Sequence, residues 1–132
     1  LASGQFWEVP KQKVYETILA KIKKVPDPER FGIATFDPED PSKIIKITEK
    51  PKEPDSEWAV TGVYIYDNQV FGFIKEIKPS GRGELEITDV NNKYVDKGQL
   101  AWSELKGYWW DAGTFDTLLE ANNYWAKKLK EK

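Results

Sequence analysis

The stretch Ser80-Gly81-Arg82-Gly83-Glu84-Leu85-Glu86-Ile87-Thr88-Asp89-Val90-Asn91 constrains this chain more than any other. A Gly-Arg-Gly turn runs straight into an acidic segment of helical character. Gly81 and Gly83 permit backbone angles that side chains resist. Arg82 between them offers a planar fork suited to a phosphate or a carboxylate. Glu84 and Glu86 favour a helix start through the dipole. Thr88, Asp89, Asn91 and Asn92 are unusually polar for the middle of an element. On physics alone this is an anion-contacting turn beside a polar pocket wall. A Gly-rich loop, a surface arginine and a capped helix account for the same residues, and a short motif does not choose between the two.

The rest of the chain supplies a scaffold for that turn. With 132 residues, one domain over 1–132 with a real core is expected. Residues 11–16 fit a short helix, and residues 17–25 alternate apolar and polar side chains as a strand does. One amphipathic helix over 11–24 fits the same residues. Residues 31–36 and 43–49 read as strands joined by a proline-rich hairpin loop. Residues 58–66 read as a third strand, with Gly62 at a point of close approach. Asp67-Asn68 then caps a helix that aligns Val70, Phe71, Ile74 and Ile77 on one face and stops at Pro79. A second helix over 85–96 closes at Gly98, and a strand follows over 99–106. Thr114 caps a last helix, in which Leu118, Leu119, Trp125 and Leu129 are available for packing. Trp102 and Trp125 hold core-like positions. The order implies an α/β fold, a mixed sheet flanked by helices.

Composition narrows the chemistry. The net charge of −2 gives no basic field for nucleic acid. No apolar run is long enough for a bilayer, and no secretory signal pattern opens the chain, so a cytoplasmic protein is expected. Cys, Met and His are all absent. Thiol and imidazole catalysis are thereby excluded, and a metal site would have to be built from oxygen ligands, which points to magnesium or calcium. The joint absence fits a thermostable protein or an engineered one, and a chain opening on Leu1 fits a processed, truncated or designed product.

Single residues carry two readings each. Lys50, just after a strand and ahead of the stiff Pro51, is a directed point charge for phosphate or a solvated surface lysine. Gly32 and Gly62 are ligand contacts or plain strand glycines. Tyr64 lines a pocket or half-fills the core. Asp111, after Trp109 and Trp110 and before a small-residue turn, is a ligand or a turn aspartate.

Five blocks of the sequence resemble one family. They are Asp27-Pro28-Glu29-Arg30-Phe31-Gly32, Glu49-Lys50-Pro51-Lys52, Ala59-Val60-Thr61-Gly62-Val63-Tyr64, the stretch from Arg82 to Asn92, and Trp109-Trp110-Asp111-Ala112-Gly113-Thr114. In this order and spacing they resemble the second half of the sugar-phosphate nucleotidyltransferases, most of all those of the glucose-1-phosphate thymidylyltransferase type. The resemblance covers residues 26–129, whereas residues 1–25 match poorly and hold no counterpart of the family's first metal-binding aspartate. It implies a partial nucleotidyltransferase, Rossmann-like fold. It further implies that Glu49 bonds sugar hydroxyls, that Lys50 and Arg82 hold the phosphate of a sugar 1-phosphate, and that Gly32, Val60, Gly62, Tyr64 and Trp109 shape the sugar pocket. Asp111 would bind magnesium. The family's Gly-rich triphosphate loop has no match here, so the resemblance implies a sugar-phosphate half-site without turnover of its own. Its partner would be the missing N-terminal half or a second copy. Two other readings stand beside it: a folding or assembly unit without ligand, and a carbohydrate-binding module suggested by six tryptophans.

Overall fold

A computed structural model describes residues 18–131. The short helix expected over 11–16 lies outside the described residues. Five strands form one mixed sheet in the order β3-β2-β4-β1-β5. In sequence they are β1 (Ile18–Lys24), β2 (Gly32–Phe36), β3 (Ile44–Glu49), β4 (Trp58–Ile65) and β5 (Leu100–Glu104). Three helices accompany them: α1 (Val70–Glu76), α2 (Ile87–Asp96) and α3 (Phe115–Lys130).

Over the described residues Ile18–Lys24 the strand reading holds and the helical one does not. β1 lies between β4, antiparallel, and β5, parallel. That central place buries it on both faces: Ile18, Ala20 and Ile22 on one, Leu19 and Lys21 on the other. The alternation therefore marks a strand but not a half-exposed one. Ala20 and Ile22 pack with Ala34, Ile44, Ile47 and Val60, bordered by Phe36, Trp58 and Trp102. Trp102 thus joins the core margin, its indole N–H donating to the Ser42 carbonyl at 2.7 Å. Ile18 packs with Val70, Phe73, Val90 and Tyr94 from the first two helices.

The helical faces differ from expectation at two places. In α1 the buried side chains are Val70 and Phe73, and Ile77 packs just past the helix end. Phe71 and Ile74 point to solvent. A one-position shift suffices, because seven residues make barely two turns and the packing of Phe73 edge-on against Tyr94 sets the rotation. In α3, no residue is buried. Phe115, Leu118, Leu119, Trp125 and Leu129 are all exposed. The helix does start where Thr114 caps it: the threonine side chain accepts from Thr117 N–H, and Thr117 reaches back to the Thr114 N–H. Tyr108 lies flat on Tyr124, ring centroids 3.5 Å apart, and so ties α3 to the preceding loop. No helix among the described residues is long and apolar enough to cross a membrane.

Candidate functional site

The site begins where β3 ends. Glu49 is the last residue of β3 and faces Gly32, the first of β2. Lys50 then turns with φ at 43°, in the left-handed region, rather than the extended backbone a following proline favours. Its N–H donates to the Phe31 carbonyl at 3.0 Å, which closes the turn. A non-glycine residue there costs about 1–3 kcal/mol, and such strain concentrates at functional positions. No carboxylate pairs with Lys50 among the described residues.

A bulge in β4 supplies the opposite wall. Ala20 faces Tyr64 but Ile22 faces Val60, so the register slips across Thr61-Gly62-Val63. Gly62 has φ at 77°, a backbone only glycine adopts without strain. The slip leaves backbone groups without strand partners. Thr61 Oγ1 donates to the Lys21 carbonyl at 3.0 Å, and the Thr61 carbonyl accepts from the Trp109 indole at 3.3 Å. The bulge thus re-aims the strand and anchors Trp109, whose ring also packs on Phe31 at 5.3 Å.

Between these walls lies an open cleft of about 330 Å³, lined by Gly32, Glu49, Lys50, Val60, Gly62, Tyr64, Trp109 and Asp111. Every site residue expected from sequence is there except Arg82. The cleft also takes in Arg30, Phe31, Thr61, Ile87 and Thr88. Its size is that of a small-molecule site. An adjoining hollow shares Arg30, Phe31, Trp109 and Asp111, but at about 60 Å³ holds little more than water. Burial pushes the Tyr64 phenol above its ordinary pKa, partly offset by the nearby Asn91 amide, so it stays protonated as a neutral donor.

Arg82 stands at the rim. Gly83 takes φ at 76°, and Gly81 does not need the left-handed region. The guanidinium is not open to an anion but clasped by acids: Nη2 donates to Glu84 Oε2 at 2.6 Å, Nε lies 3.7 Å from Glu86 Oε1, and Nη1 lies 3.9 Å from Glu49 Oε1. A phosphate would have to compete with these carboxylates. Glu86 occupies the start of α2 without capping it, its side chain accepting from Ser80 Oγ instead.

Asp111 is likewise engaged. Arg30 Nη2 donates to its Oδ2 at 3.2 Å, while Nη1 donates to Asp27 Oδ2 at 2.7 Å. One carboxylate carrying an arginine is not a magnesium site by itself, and the described residues hold no cluster of three or more acidic side chains fit for a metal. The expectation for Asp111 as a ligand therefore lacks a matching donor set in these residues.

The pattern of the family described as Nucleotidyl transferase matches residues 6–128. The chain belongs to the nucleotidyl transferase family. Among curated members, the glucose-1-phosphate thymidylyltransferase of Xanthomonas campestris is 50% identical over 102 residues, 76% of this chain and 34% of that protein. That of Neisseria meningitidis is 42% identical over 123 residues, 90% of this chain and 42% of that protein. Solved structures agree. One from Bacillus anthracis, assigned as a glucose-1-phosphate thymidylyltransferase in complex with sucrose, superposes with a TM-score of 0.73 at 53% identity over 83% of this chain and 44% of that one. A UDP-glucose pyrophosphorylase complexed with UDP-glucose gives a TM-score of 0.77 at 25% identity, covering 89% and 47%. This nucleotidyl transferase chain thus spans less than half the length of these relatives.

Sequence reasoning did not name Arg30, Thr61 and Thr88 as site residues of the nucleotidyl transferase cleft, although it read Thr88 as part of a polar pocket wall. All three stand inside the motif blocks quoted above. Only Thr88 carried a separate signal, its place in an unusually polar run; Arg30 and Thr61 are ordinary in type, and partners 81 and 40 residues away decide their roles.

Proposed function

We propose that this chain is the sugar-phosphate side of a sugar-1-phosphate nucleotidyl transferase, and that its ligand carries glucose. The observation that carries this reading is the convergence on one cleft of a carboxylate (Glu49), a cation without a carboxylate partner among the described residues (Lys50), a protonated tyrosine (Tyr64) and an anchored indole (Trp109). A hexose 1-phosphate needs those groups: a hydroxyl acceptor, a charge for the phosphate and an aromatic wall. Glucose is the sugar because the relatives named for a substrate are thymidylyltransferases of glucose 1-phosphate and a pyrophosphorylase of UDP-glucose.

In this reaction a sugar-phosphate oxygen attacks the α-phosphorus of a nucleoside triphosphate, and pyrophosphate leaves. Positioning and charge neutralisation carry such chemistry. Glu49 and Tyr64 hold the hexose hydroxyls, Lys50 holds the phosphate, and Trp109 closes the wall. Arg82 joins Lys50 once phosphate displaces its acidic partners. The triphosphate cradle and any magnesium come from sequence beyond the matched portion, so the chain alone binds without turning over. The uncovered apolar face of α3 favours docking against further protein.

The test is calorimetric titration of glucose 1-phosphate into the wild type and into Lys50→Ala and Arg82→Ala, with a pyrophosphate-release assay on the chain alone. Saturable binding weakened about tenfold or more in Lys50→Ala is expected, since a hydrogen bond to a charged group contributes about 1.5–3 kcal/mol. No heat at millimolar ligand would reject the reading.

A further inference from the structure

Helix α2 carries two side chains four residues apart that both meet β3. Thr88 Oγ1 donates to Glu49 Oε2 at 2.7 Å. Asn92 Oδ1 accepts from the Ile47 N–H and its Nδ2 donates to the Ile47 carbonyl, both at 2.8 Å. Four helical residues rise about 6 Å and two strand residues about 6.6 Å, so the two spacings match. β3 is the outer strand of the sheet, and Asn92 pairs with it much as another strand would. The helix is thereby indexed against the strand end that carries Glu49.

The consequence falls on the carboxylate. Thr88 is only 5% exposed yet lines the cleft, so its hydroxyl is fixed rather than solvated. It engages one oxygen of Glu49, while Arg82 approaches the other at 3.9 Å. Gly32 closes the triangle: a Cβ there would lie 3.2 Å from Glu49 Oε2 and 3.3 Å from Thr88 Oγ1. A glutamate has three side-chain torsions, and this contact selects among its rotamers.

We propose that Thr88 is a positioning residue which fixes the Glu49 carboxylate for recognition of sugar hydroxyls, with Asn92 as the clamp that sets its height. This rests on the reading of Glu49 as the hydroxyl acceptor. Thr88 acts through Glu49 and not on the ligand's phosphate, so it governs the sugar part of affinity alone.

The experiment compares wild type with Thr88→Val, which keeps the shape and removes the hydroxyl, and Thr88→Ser, which keeps the hydroxyl. Calorimetry reads the affinity for glucose 1-phosphate and for inorganic phosphate. Three-bond couplings of Glu49, measured by NMR without ligand, read its rotamer. The expected result is about tenfold weaker glucose 1-phosphate binding in Thr88→Val, unchanged phosphate binding, near-complete rescue in Thr88→Ser, and couplings that average only in Thr88→Val. Equal loss for both ligands, a serine variant as weak as valine, or Glu49 couplings that do not change would overturn the proposal. Were the wild type to bind no sugar phosphate, the reading of the cleft would fall, and with it any role in sugar recognition. The couplings would still decide whether Thr88 holds the carboxylate in place.

Discussion

Arg30 and Asp111, 81 residues apart in sequence, meet at 3.2 Å and join the turn after β1 to the loop before α3. The same guanidinium binds Asp27 and lies 5.5 Å from the Phe31 ring centre. Both partners of the long-range pair are over a third exposed, so solvent screens it. Arg30→Met should change the unfolding free energy by less than about 1 kcal/mol. Urea titration measures this, and a loss well beyond that figure would mean that the pair organises the two loops rather than decorating them.

Asn92 should matter more. Its amide satisfies two backbone groups of Ile47 on the outer strand. Asn92→Leu keeps the bulk and strips both bonds, and a loss of about 1–3 kcal/mol is expected. The urea midpoint should fall without a change in slope.

Two glycines should fail for opposite reasons. Gly32→Ala meets crowding, since the new Cβ falls between Glu49 and Thr88. Its cost should appear chiefly as weaker glucose 1-phosphate binding in calorimetry. Gly62→Ala meets open space, nothing lying within 4 Å of the new Cβ, but the backbone has φ at 77°. It should lose about 1–2 kcal/mol of stability in a denaturant titration.

Stability should fall at both ends of the pH scale. Burial works against the charge of Asp67, yet hydrogen bonds from Tyr94 and Gln69 outweigh it and hold the carboxyl below its ordinary value. Its contribution is therefore present above the unfolded value near about 4 and is lost as pH falls through the folded one. Burial raises the phenols of Tyr64, Tyr66 and Tyr94, and the bond to Asp67 raises Tyr94 further. Their contribution is intact below the unfolded value near about 10 and is lost as pH rises beyond it. Urea midpoints from acid to alkaline pH should show both limbs, and Tyr94→Phe should flatten both.

The exposed face of α3 should make the isolated chain associate. Phe115 is 94% exposed and Leu129 71%. Sedimentation velocity across a concentration series should show self-association, and the pair Phe115→Ser with Leu119→Ser should shift the chain toward monomer. A wild type monomeric at every concentration would reject this.

By itself the sequence determined the family and most of the element order. β-Branched and aromatic runs mark β2 to β4, Gly98 closes α2 and Thr114 opens α3, because these are local effects of backbone sterics and capping, whereas alternation left β1 open between strand and helix. The cleft gathers eight of the nine residues to which the motif blocks pointed. Tertiary structure decided the rest. Which face of α1 is buried follows from Phe73 finding Tyr94. Whether an arginine is free follows from which acids the fold brings near, so Arg82 and Arg30 are held by carboxylates that composition treats as solvated charge. The place of Thr88 depends on a helix and a strand 39 residues apart lying in matched register. Local chemistry is written residue by residue, whereas such partnerships exist only once the sheet has brought distant segments within hydrogen-bond reach.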